Sequence, residues 1–324
     1  MIISRTPFRI SLAGGGTDLP DYYRDAGGCV TALTITKYMY ITVNKRFDHT
    51  LRVGYSKMEL VNTVDDLEHP LVRAALKRTG LTNGLEVTSM ADIPAQTGIG
   101  SSSSFVVGLL NALYAYQGVH ASAERLAREA CEIEIDLLKE PIGKQDQYIA
   151  AFGGLRFLEF NPDETVYASP IICSPAARHE LLRYLQLYYT GITRPASTIL
   201  QEQKAKTQSN REVLDAMREQ AREIRDILVK ERHLVSIGDI LHQGWLLKRK
   251  LASNITNSTI DTSYEAAMDA GALGGKILGA GGGGFLLVFV EPQNQPRVRQ
   301  ALSDLRPIDF SFEPQGSKII YVSD

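Results

Sequence analysis

Apolar and polar positions alternate along much of the first 60 residues, a pattern typical of β-strands. β-branched and aromatic residues dominate the segment CVTALTITKYMYITVNKRF, residues 29–47. A helix is predicted over 65–80, where a glycine ends it, and GLEVTSMAD predicts a strand over 84–92. Two more helices are predicted, one over about 101–117 and one that begins at residue 122.

The second half of the chain also mixes strands and helices. Strands are predicted for LRFLEF, TVYASPIIC, YLQLYYTGI, KILGA, GFLLVFV, FSFEP and SKIIYVS. Residues 196–251 are predicted to be helical with a break near 232–236, and PRVRQALSDL predicts a later helix. Because strands and helices do not alternate strictly, the pattern favours an α+β fold. We expect two lobes, residues 1–170 and 171–324.

Composition is that of an ordinary globular protein, with 324 residues, 44% of them hydrophobic and 22% charged. The net charge of −2 argues against a nucleic acid or an anionic membrane as partner, although a whole-chain sum can hide a local basic pocket. Cys29, Cys131 and Cys173 form no CxxC pair, and no leader or membrane-length apolar run is visible. We therefore expect a soluble cytoplasmic protein; the sequence neither supports nor excludes a homo-oligomer.

Residues 94–104, PAQTGIGSSSS, place two glycines and four serines directly before an apolar helical segment. A helix N-terminus exposes unpaired N–H groups and attracts anions, and glycines let the backbone approach a ligand closely. The segment therefore indicates a phosphate-binding loop. The alternative is a serine N-cap behind a flexible loop. The loop is not a Walker A motif, because no GK pair in the chain is followed by Ser or Thr.

Two further glycine clusters lie near the two ends of the chain. Near the N-terminus, Gly14, Gly15 and Gly16 precede Thr17 and Asp18, whose carboxylate could accept hydrogen bonds from sugar hydroxyls. The alternative is a glycine turn in which Asp18 caps the segment that follows it. Near the C-terminus, KILGAGGGG contains a GxGxxG pattern, but a β-like run follows it rather than the helix of a dinucleotide site. A glycine-lined turn between two strands, packed against the serine loop, fits this pattern better.

Acidic residues in the middle of the chain supply candidate catalytic and metal-binding groups. Asp146 lies at the predicted start of a short helix, where an aspartate is often only a cap. Glu132, Glu134 and Asp136 alternate along one segment and could form a solvated face. One of them could instead hold Mg²⁺ opposite a serine hydroxyl, since this ion is normally bound by one or two carboxylates and phosphate oxygens.

Three motifs in this order resemble those of the GHMP kinases, which include galactokinase, homoserine kinase and mevalonate kinase. PAQTGIGSSS resembles the family pattern PxxxGLGSSA, RISLAGGGTD resembles galactokinase RVNLIGEHTD, and KILGAGGGG resembles the third family motif. GKQDQ, which contains Asp146, resembles galactokinase GIMDQ. The likeness covers essentially the whole chain. It implies a lobe like ribosomal protein S5 domain 2, a ferredoxin-like C-terminal lobe and a site between them.

The forms LAGGGTDLPDYY, EPIGKQDQYIAAFGGL and TGITRPAS are most similar to bacterial kinases that phosphorylate the 1-hydroxyl of D-glycero-D-manno-heptose 7-phosphate. Fucokinases share much of this pattern and remain an alternative. Gly15 stands where galactokinase has a glutamate, which argues against galactose. A non-catalytic sensor and a dinucleotide oxidoreductase are alternatives from other classes. The presence of Ser102 and Asp146 argues against the first, and the strand after the glycines argues against the second.

The resemblance implies a role for each motif, with ATP, Mg²⁺ and a sugar phosphate as the small molecules bound. It implies that Asp146 and Arg9 act on the acceptor hydroxyl, and that Ser102 binds Mg²⁺ with Glu134, or failing that Asp136. The implied ATP-binding residues are Gly98, Ile99, Gly100, Ser101, Ser102 and Ser103. The implied substrate-binding residues are Gly14, Gly15, Gly16, Thr17 and Asp18. A sugar phosphate also needs an anion site, for which Arg194, after the strand YLQLYYTGIT, is the candidate, with Lys204 and Lys206 further along the chain. The alternative is an arginine that caps or pairs at the surface. The third-motif loop is Gly279, Ala280, Gly281, Gly282 and Gly283.

Overall fold

The computed structural model of the chain describes residues 1–95, 97–193 and 196–323. The strands are β1 (Ile2–Ala13), β2 (Gly28–Lys45), β3 (Leu51–Gly54), β4 (Met58–Val61), β5 (Leu85–Ala91), β6 (Leu155–Phe160), β7 (Val166–Pro170), β8 (Leu185–Tyr189), β9 (Ala272–Ile277), β10 (Phe285–Val290), β11 (Arg306–Pro307) and β12 (Lys318–Val322). The helices are α1 (Pro20–Ala26), α2 (Pro70–Thr79), α3 (Ser101–Tyr116), α4 (Ala123–Cys131), α5 (Gln145–Phe152), α6 (Pro175–Tyr184), α7 (Ser197–Ala205), α8 (Arg211–Lys230), α9 (Ile237–Lys248), α10 (Ser258–Asp269) and α11 (Gln295–Ala301). No helix in these described ranges has the length and apolar character needed to cross a membrane.

The first sheet is built around the long pair β1 and β2. Within the described residues it contains eight strands, six of them in the order β12-β1-β2-β5-β3-β4, with β6 paired to β2 and β7 paired to β6. One edge of β2 pairs with β1, and the other edge is shared between β6, along residues 28–33, and β5, along residues 39–45. Residues 6–13 of β1 are all buried, since α3 and α8 both contact this strand. The first sheet therefore holds β1 rigidly within the molecule.

The second sheet is smaller and antiparallel, with the strand order β11-β8-β10-β9. All six residues of β10, FLLVFV, are buried, because strands flank it on both sides and helices α6 and α9 pack against it. Trp245 of α9 is fully buried in a core that also contains Tyr188 of β8 and Tyr22 of α1. The strand predicted from this continuous apolar run is therefore confirmed.

The structure confirms the α+β class and most of the predicted elements. It differs at α1, α6 and α10, which the sequence pattern did not predict, and at residues 310–314, where the predicted strand is reduced to one bridge between Phe312 and Ile35. Helix-start signals were present at two of the missed helices: a serine cap with Pro175 after it, and Asn257, whose side chain accepts the Ile260 N–H. The short apolar stripes of these helices gave too weak a periodicity to reveal them.

The boundary between lobes near residue 170 stays a prediction. The second sheet is formed by strands after this point, from β8 onward. One later segment does not follow the division, because β12 returns to pair antiparallel with β1 in the first sheet. The last described strand therefore ties the end of the chain to its beginning.

Candidate active site

A cavity of about 870 Å³ lies between the two sheets. Residues of β1, β2 and β5 line one side, and residues of β9, α9 and the loop that follows β9 line the other. The loop before α3 and the start of α5 complete the wall. The volume falls in the range of roughly 300–1,000 Å³ that is usual for small-molecule sites. All the motifs singled out in the sequence contribute residues to this cavity.

The glycine–serine loop delivers the N-terminus of α3 to the cavity. Gly98 and Gly100 both have a positive φ, +80° and +78°, which favours glycine, and α3 begins directly after Gly100. Ser101, Ser102 and Ser103 line the cavity, where the first-turn N–H groups of a helix have no partner within the helix. Ile99 does not line it: its side chain is fully buried and its carbonyl accepts a hydrogen bond from the Arg9 N–H.

The third-motif loop packs backbone to backbone against the glycine–serine loop. A side-chain carbon added at Gly98 would lie 2.5 Å from the Leu278 carbonyl oxygen, and one added at Gly279 would lie 2.5 Å from the Gly98 Cα. The predicted glycine-lined turn between two strands is confirmed as the β9–β10 hairpin. Gly279, Ala280, Gly281 and Gly283 line the cavity, whereas Gly282 does not.

Glu134 is the hydrogen-bonding centre beneath the start of α3. Its carboxylate accepts hydrogen bonds from Ser102 Oγ at 2.6 Å, Ser103 Oγ at 2.8 Å and Gln147 Nε2 at 2.6 Å. Burial raises the pKa of Glu134 to about 7, although these three hydrogen bonds oppose the shift. Asp136 is exposed and has no contact with this group, so the alternative metal ligand was wrong.

The position of Glu134 follows from an irregular helical turn. Residues Glu132–Leu137 continue α4 as a π-helix, a form that often occurs at functional sites. In this turn Ile133 and Glu134 are buried, while Glu132 faces outward and pairs with Arg78 and Arg128. The turn therefore separates one buried carboxylate from two that serve as surface charges.

Asp146 and Arg9 form a two-pronged ion pair in the cavity wall. Arg9 Nε lies 2.7 Å from Asp146 Oδ1, and Arg9 Nη2 lies 2.8 Å from Oδ2. Arg9 is only 4% exposed, and its Nη1 also donates to the Gly98 carbonyl oxygen at 2.6 Å. A side-chain carbon at Gly100 would lie 3.4 Å from Asp146 Oδ2. The arginine therefore fixes Asp146 beside the glycine–serine loop.

The N-terminal glycine cluster divides between lining residues and structural ones. Gly15 and Gly16 line the cavity, but Gly14 does not, and Thr17 is fully buried. Thr17 Oγ1 donates to the carbonyl oxygens of Gly14 and Cys29 and accepts the Cys29 N–H. The substrate-binding role expected of Gly14 and Thr17 was therefore wrong, because both hold the turn together behind the cavity wall.

Asp18 lines the cavity but is largely occupied by the protein. Its Oδ1 accepts from the Gly16 N–H and from Gln145 Nε2, and its Oδ2 accepts from the Gln145 N–H at 3.1 Å. Burial raises the pKa of Asp18 above its usual value. A side chain at Gly143 would collide with Oδ2, at 2.0 Å. Asp18 therefore does not cap the helix that follows it but joins the glycine turn to the start of α5, where it positions the residue next to Asp146.

Two of the three cations expected to bind a substrate phosphate, Lys204 and Lys206, lie outside the cavity. Arg194 lies outside the described residues. Lys204 pairs with Asp21 at 3.7 Å, and Lys206 pairs with Glu202 at 2.7 Å on the surface of α7. Neither lysine lines the cavity. The expectation that these two lysines bind an anion was therefore wrong.

Sequence reasoning missed two buried lysines in the wall. Lys248, the last residue of α9, donates to the carbonyl oxygens of Ile277 and Gly279, and Lys276 of β9 donates to the Leu12 carbonyl oxygen at 3.2 Å. Burial lowers the pKa of Lys276 to about 7 and that of Lys248 well below its usual value. The proximity of Arg9 contributes to both shifts. Lys276 begins the KILGAGGGG motif, which was the only available signal.

An aromatic cluster in the cavity wall was also missed. The ring of His69 stacks on Phe105 with 5.2 Å between centroids and meets the edge of Tyr55 at 4.6 Å. Burial lowers the pKa of His69, and its Nδ1 atom is buried without a hydrogen-bond partner. Met39 and Met90 add apolar surface to the same cavity. Such a wall suits a flat heterocycle that stacks and buries its faces.

Comparison with known proteins identifies relatives along the whole chain. The GHMP kinases N terminal domain matches residues 59–154, and the GHMP kinases C terminal domain matches residues 217–307. D-glycero-alpha-D-manno-heptose 7-phosphate kinase of Campylobacter jejuni is 31% identical over 98% of this chain and 98% of its own length. L-fucokinase/L-fucose-1-P guanylyltransferase of Bacteroides fragilis is 28% identical over 95% of this chain but only 36% of its own length.

A solved structure extends the similarity to the complete fold. The crystal structure of a D-glycero-D-manno-heptose 1-phosphate kinase from Bacteroides thetaiotaomicron matches with a TM-score of 0.84 and 26% identity over 100% of both chains. The two matched domains cover more than half of this chain, and the helix N-terminus, the arginine-held aspartate and the glycine hairpin meet at one cavity. On this evidence the chain belongs to the GHMP kinases and is an ATP-dependent phosphotransferase.

Proposed function

We propose that the protein transfers the γ-phosphate of ATP to the anomeric 1-hydroxyl of D-glycero-D-manno-heptose 7-phosphate and so forms the 1,7-bisphosphate. The observation that carries the proposal is the ion pair of Arg9 and Asp146, held beside an exposed helix N-terminus in one cavity. The choice of sugar rests on the Campylobacter relative, which aligns over 98% of both chains. In the cytoplasm the product would enter the synthesis of a nucleotide-heptose, which in turn would supply a surface polysaccharide.

In this proposal ATP spans the cavity from the aromatic cluster to the start of α3. The purine stacks against the wall that contains Tyr55, His69 and Phe105. The backbone N–H groups of residues 98–103 bind the phosphates, because a helix N-terminus offers unpaired donors and a partial positive charge. Preorganised donors of this kind stabilise the charge that phosphoryl transfer redistributes.

Ser102 and Glu134 are the residues that fit Mg²⁺. A hydroxyl and a carboxylate oxygen already lie 2.6 Å apart beside the phosphate loop, and this oxygen donor set suits Mg²⁺. When bound, the ion would neutralise charge on the phosphate oxygens of ATP. The Ser102 hydroxyl would then turn its lone pairs toward the ion, and Glu134 would lose the hydrogen bond from Ser102 while it keeps those from Ser103 and Gln147.

Asp146 would act on the acceptor hydroxyl. The anomeric oxygen forms a bond to the γ-phosphorus of ATP. The bond from that phosphorus to the oxygen that bridges the β- and γ-phosphorus atoms breaks, and ADP leaves with this oxygen. Asp146 accepts or orients the proton that the hydroxyl loses, while Arg9 keeps both carboxylate oxygens in a fixed plane. Gly15 leaves space for the sugar on this side, since a side-chain carbon there would come no nearer than 3.8 Å to another residue, whereas at Gly16 it would meet Gln203.

A panel of acceptors tests the proposed function directly. We expect ADP release with heptose 7-phosphate to exceed that with fucose, galactose, mannose and mevalonate, measured as kcat/KM at saturating ATP. Heptose 1-phosphate is the matched control, because its anomeric oxygen is already esterified and cannot accept the phosphoryl group. Preferential turnover of fucose would favour the fucokinase alternative, which the 28% identity to the Bacteroides fragilis enzyme also supports. Absence of ADP release with every acceptor would support a sensor.

Replacing Ser102 by alanine is expected to weaken the response to Mg²⁺, because it removes the hydroxyl proposed to bind the ion. The measurement is the Mg²⁺ concentration that gives half-maximal ADP release, and we expect it to rise about 10-fold or more. Ser101→Ala is the matched control, since Ser101 lines the same cavity but its side chain does not bond to Glu134. An unchanged Mg²⁺ titration in Ser102→Ala would refute the ligand role.

A further inference from the structure

Two buried ammonium groups, those of Lys248 and Lys276, lie in the cavity wall without an acidic partner. Both residues are only 7% exposed, and among the described residues neither makes an ion pair with a carboxylate. Lys248 donates two hydrogen bonds and Lys276 donates one, all to backbone carbonyl oxygens. In the charged form that an anion would stabilise, each group has three donors, so one N–H of Lys248 and two of Lys276 have no acceptor among the described residues. The two groups therefore have unused donor capacity beside the cavity.

Burial of unpaired charge is costly, and it is seldom kept without a partner that restores the lost hydration. Arg9 makes the region still more positive, because it lies near both lysines and, among the described residues, its charge is matched by Asp146 alone. A phosphate dianion has the charge and the acceptor oxygens to satisfy all three free N–H groups. The cluster thus fits an anionic ligand better than it fits a purely structural role.

The position of the lysines favours the acceptor side of the cavity. Lys276 donates to Leu12 O, so its ammonium lies against the end of β1, at the residue that follows Ser11 in the chain. Ser11 is 6% exposed and lines the cavity, and its Oγ has no hydrogen-bond partner. This end of β1 leads directly into Gly15 and Gly16, of which Gly15 is proposed to lie beside the sugar. The buried hydroxyl is an independent sign that a polar ligand group binds here.

We propose that Lys248, Lys276 and Ser11 form a subsite for the phosphate group that the acceptor already carries. This assignment rests on the proposed function and adds to it the residues that would distinguish a sugar phosphate from a free sugar. It also replaces Lys204 and Lys206, which pair with surface carboxylates instead.

The test compares heptose 7-phosphate with unphosphorylated heptose in Lys276→Met and Lys248→Met. We expect the ratio of kcat/KM for heptose 7-phosphate to kcat/KM for heptose to fall by about 10- to 100-fold, the effect of losing a charged hydrogen bond. Lys250→Met is the control, because Lys250 is exposed two residues beyond α9 and should leave the ratio unchanged. Lys276→Gln and Lys248→Gln, which retain a donor to the backbone, provide a second pair if a methionine variant does not fold.

Each outcome bears on the assignment. Equal losses with both acceptors would overturn it in favour of a structural role, and a rise in the KM for ATP alone would assign the lysines to the nucleotide phosphates.

If the wild-type protein uses no heptose, the proposed function fails separately. Inorganic phosphate then serves as the probe, with ADP present. A phosphate-induced rise in Tm that the lysine variants lose supports the subsite, and an equal rise in all proteins overturns it.

Discussion

Replacing Asp146 by asparagine is expected to lower kcat by about 100-fold or more, the usual contribution of a positioned general base. An amide cannot accept the hydroxyl proton at neutral pH, and it cannot complete the charged pair with both Arg9 nitrogens. The measurement is the steady-state rate of ADP release at saturating ATP and heptose 7-phosphate. A kcat close to that of the wild-type protein would contradict the assignment of Asp146.

The control for this variant must separate catalysis from folding. Asp146→Asn leaves the Arg9 charge, which is 4% exposed, without its carboxylate, so we also expect a lower Tm. Asp136→Asn makes the same chemical change on an exposed residue and should affect neither kcat nor Tm. Rates are therefore compared at a temperature where circular dichroism shows that both variants are folded.

Replacing Glu134 by glutamine is expected to remove most of the response to Mg²⁺. Removing a residue that hydrogen-bonds to a metal ligand usually lowers metal affinity by roughly 10- to 100-fold. Removing the ligand itself should lower the affinity for Mg²⁺ by more. The measurement is again the Mg²⁺ concentration for half-maximal activity. Glu132→Gln is the control, because Glu132 pairs with Arg78 and Arg128 on the outside of the same turn. The same Mg²⁺ dependence in Glu134→Gln and wild type would refute the role.

The raised pKa of Glu134 predicts a pH dependence with a definite sign. A metal binds the ionised carboxylate, so the apparent Mg²⁺ affinity of the wild-type protein should fall as pH is lowered through about 7. In the ligand-free protein the folded-state pKa lies above the usual value. The carboxyl therefore contributes stability that is present at low pH and is lost as pH rises through about 7. Glu134→Gln should lack both effects; Mg²⁺ titrations and Tm values between pH 5 and 8 measure them.

Local pattern in the sequence predicted the loops of the site well, because glycines, serines and strand periodicity are local features. The glycine–serine loop, the β9–β10 turn and the short helix that begins near Asp146 are all present as predicted. The choice of Glu134 over Asp136 did not follow from alternation alone. It depended on the resemblance, and the π-helical turn supplies the physical reason why only Glu134 points inward.

Long-range contacts could not be predicted from local pattern. Lys276 reaches the carbonyl of Leu12, 264 residues earlier in the chain, and nothing in the residues around either of them indicates this contact. Thr17 was expected to face a ligand because its motif resembles that of galactokinase, but its hydroxyl bonds to the backbone of Cys29, which turns it inward. Such assignments depend on how the two sheets meet, which the order of elements does not determine.

A crystal structure with a non-hydrolysable ATP analogue, Mg²⁺ and heptose 7-phosphate tests the central claim most directly. We expect the triphosphate against the backbone amides of residues 98–103, with the γ-phosphorus facing the anomeric oxygen and that oxygen within hydrogen-bond reach of Asp146. Density for the triphosphate elsewhere in the cavity, or a sugar whose reducing end lies away from Asp146, would contradict the account.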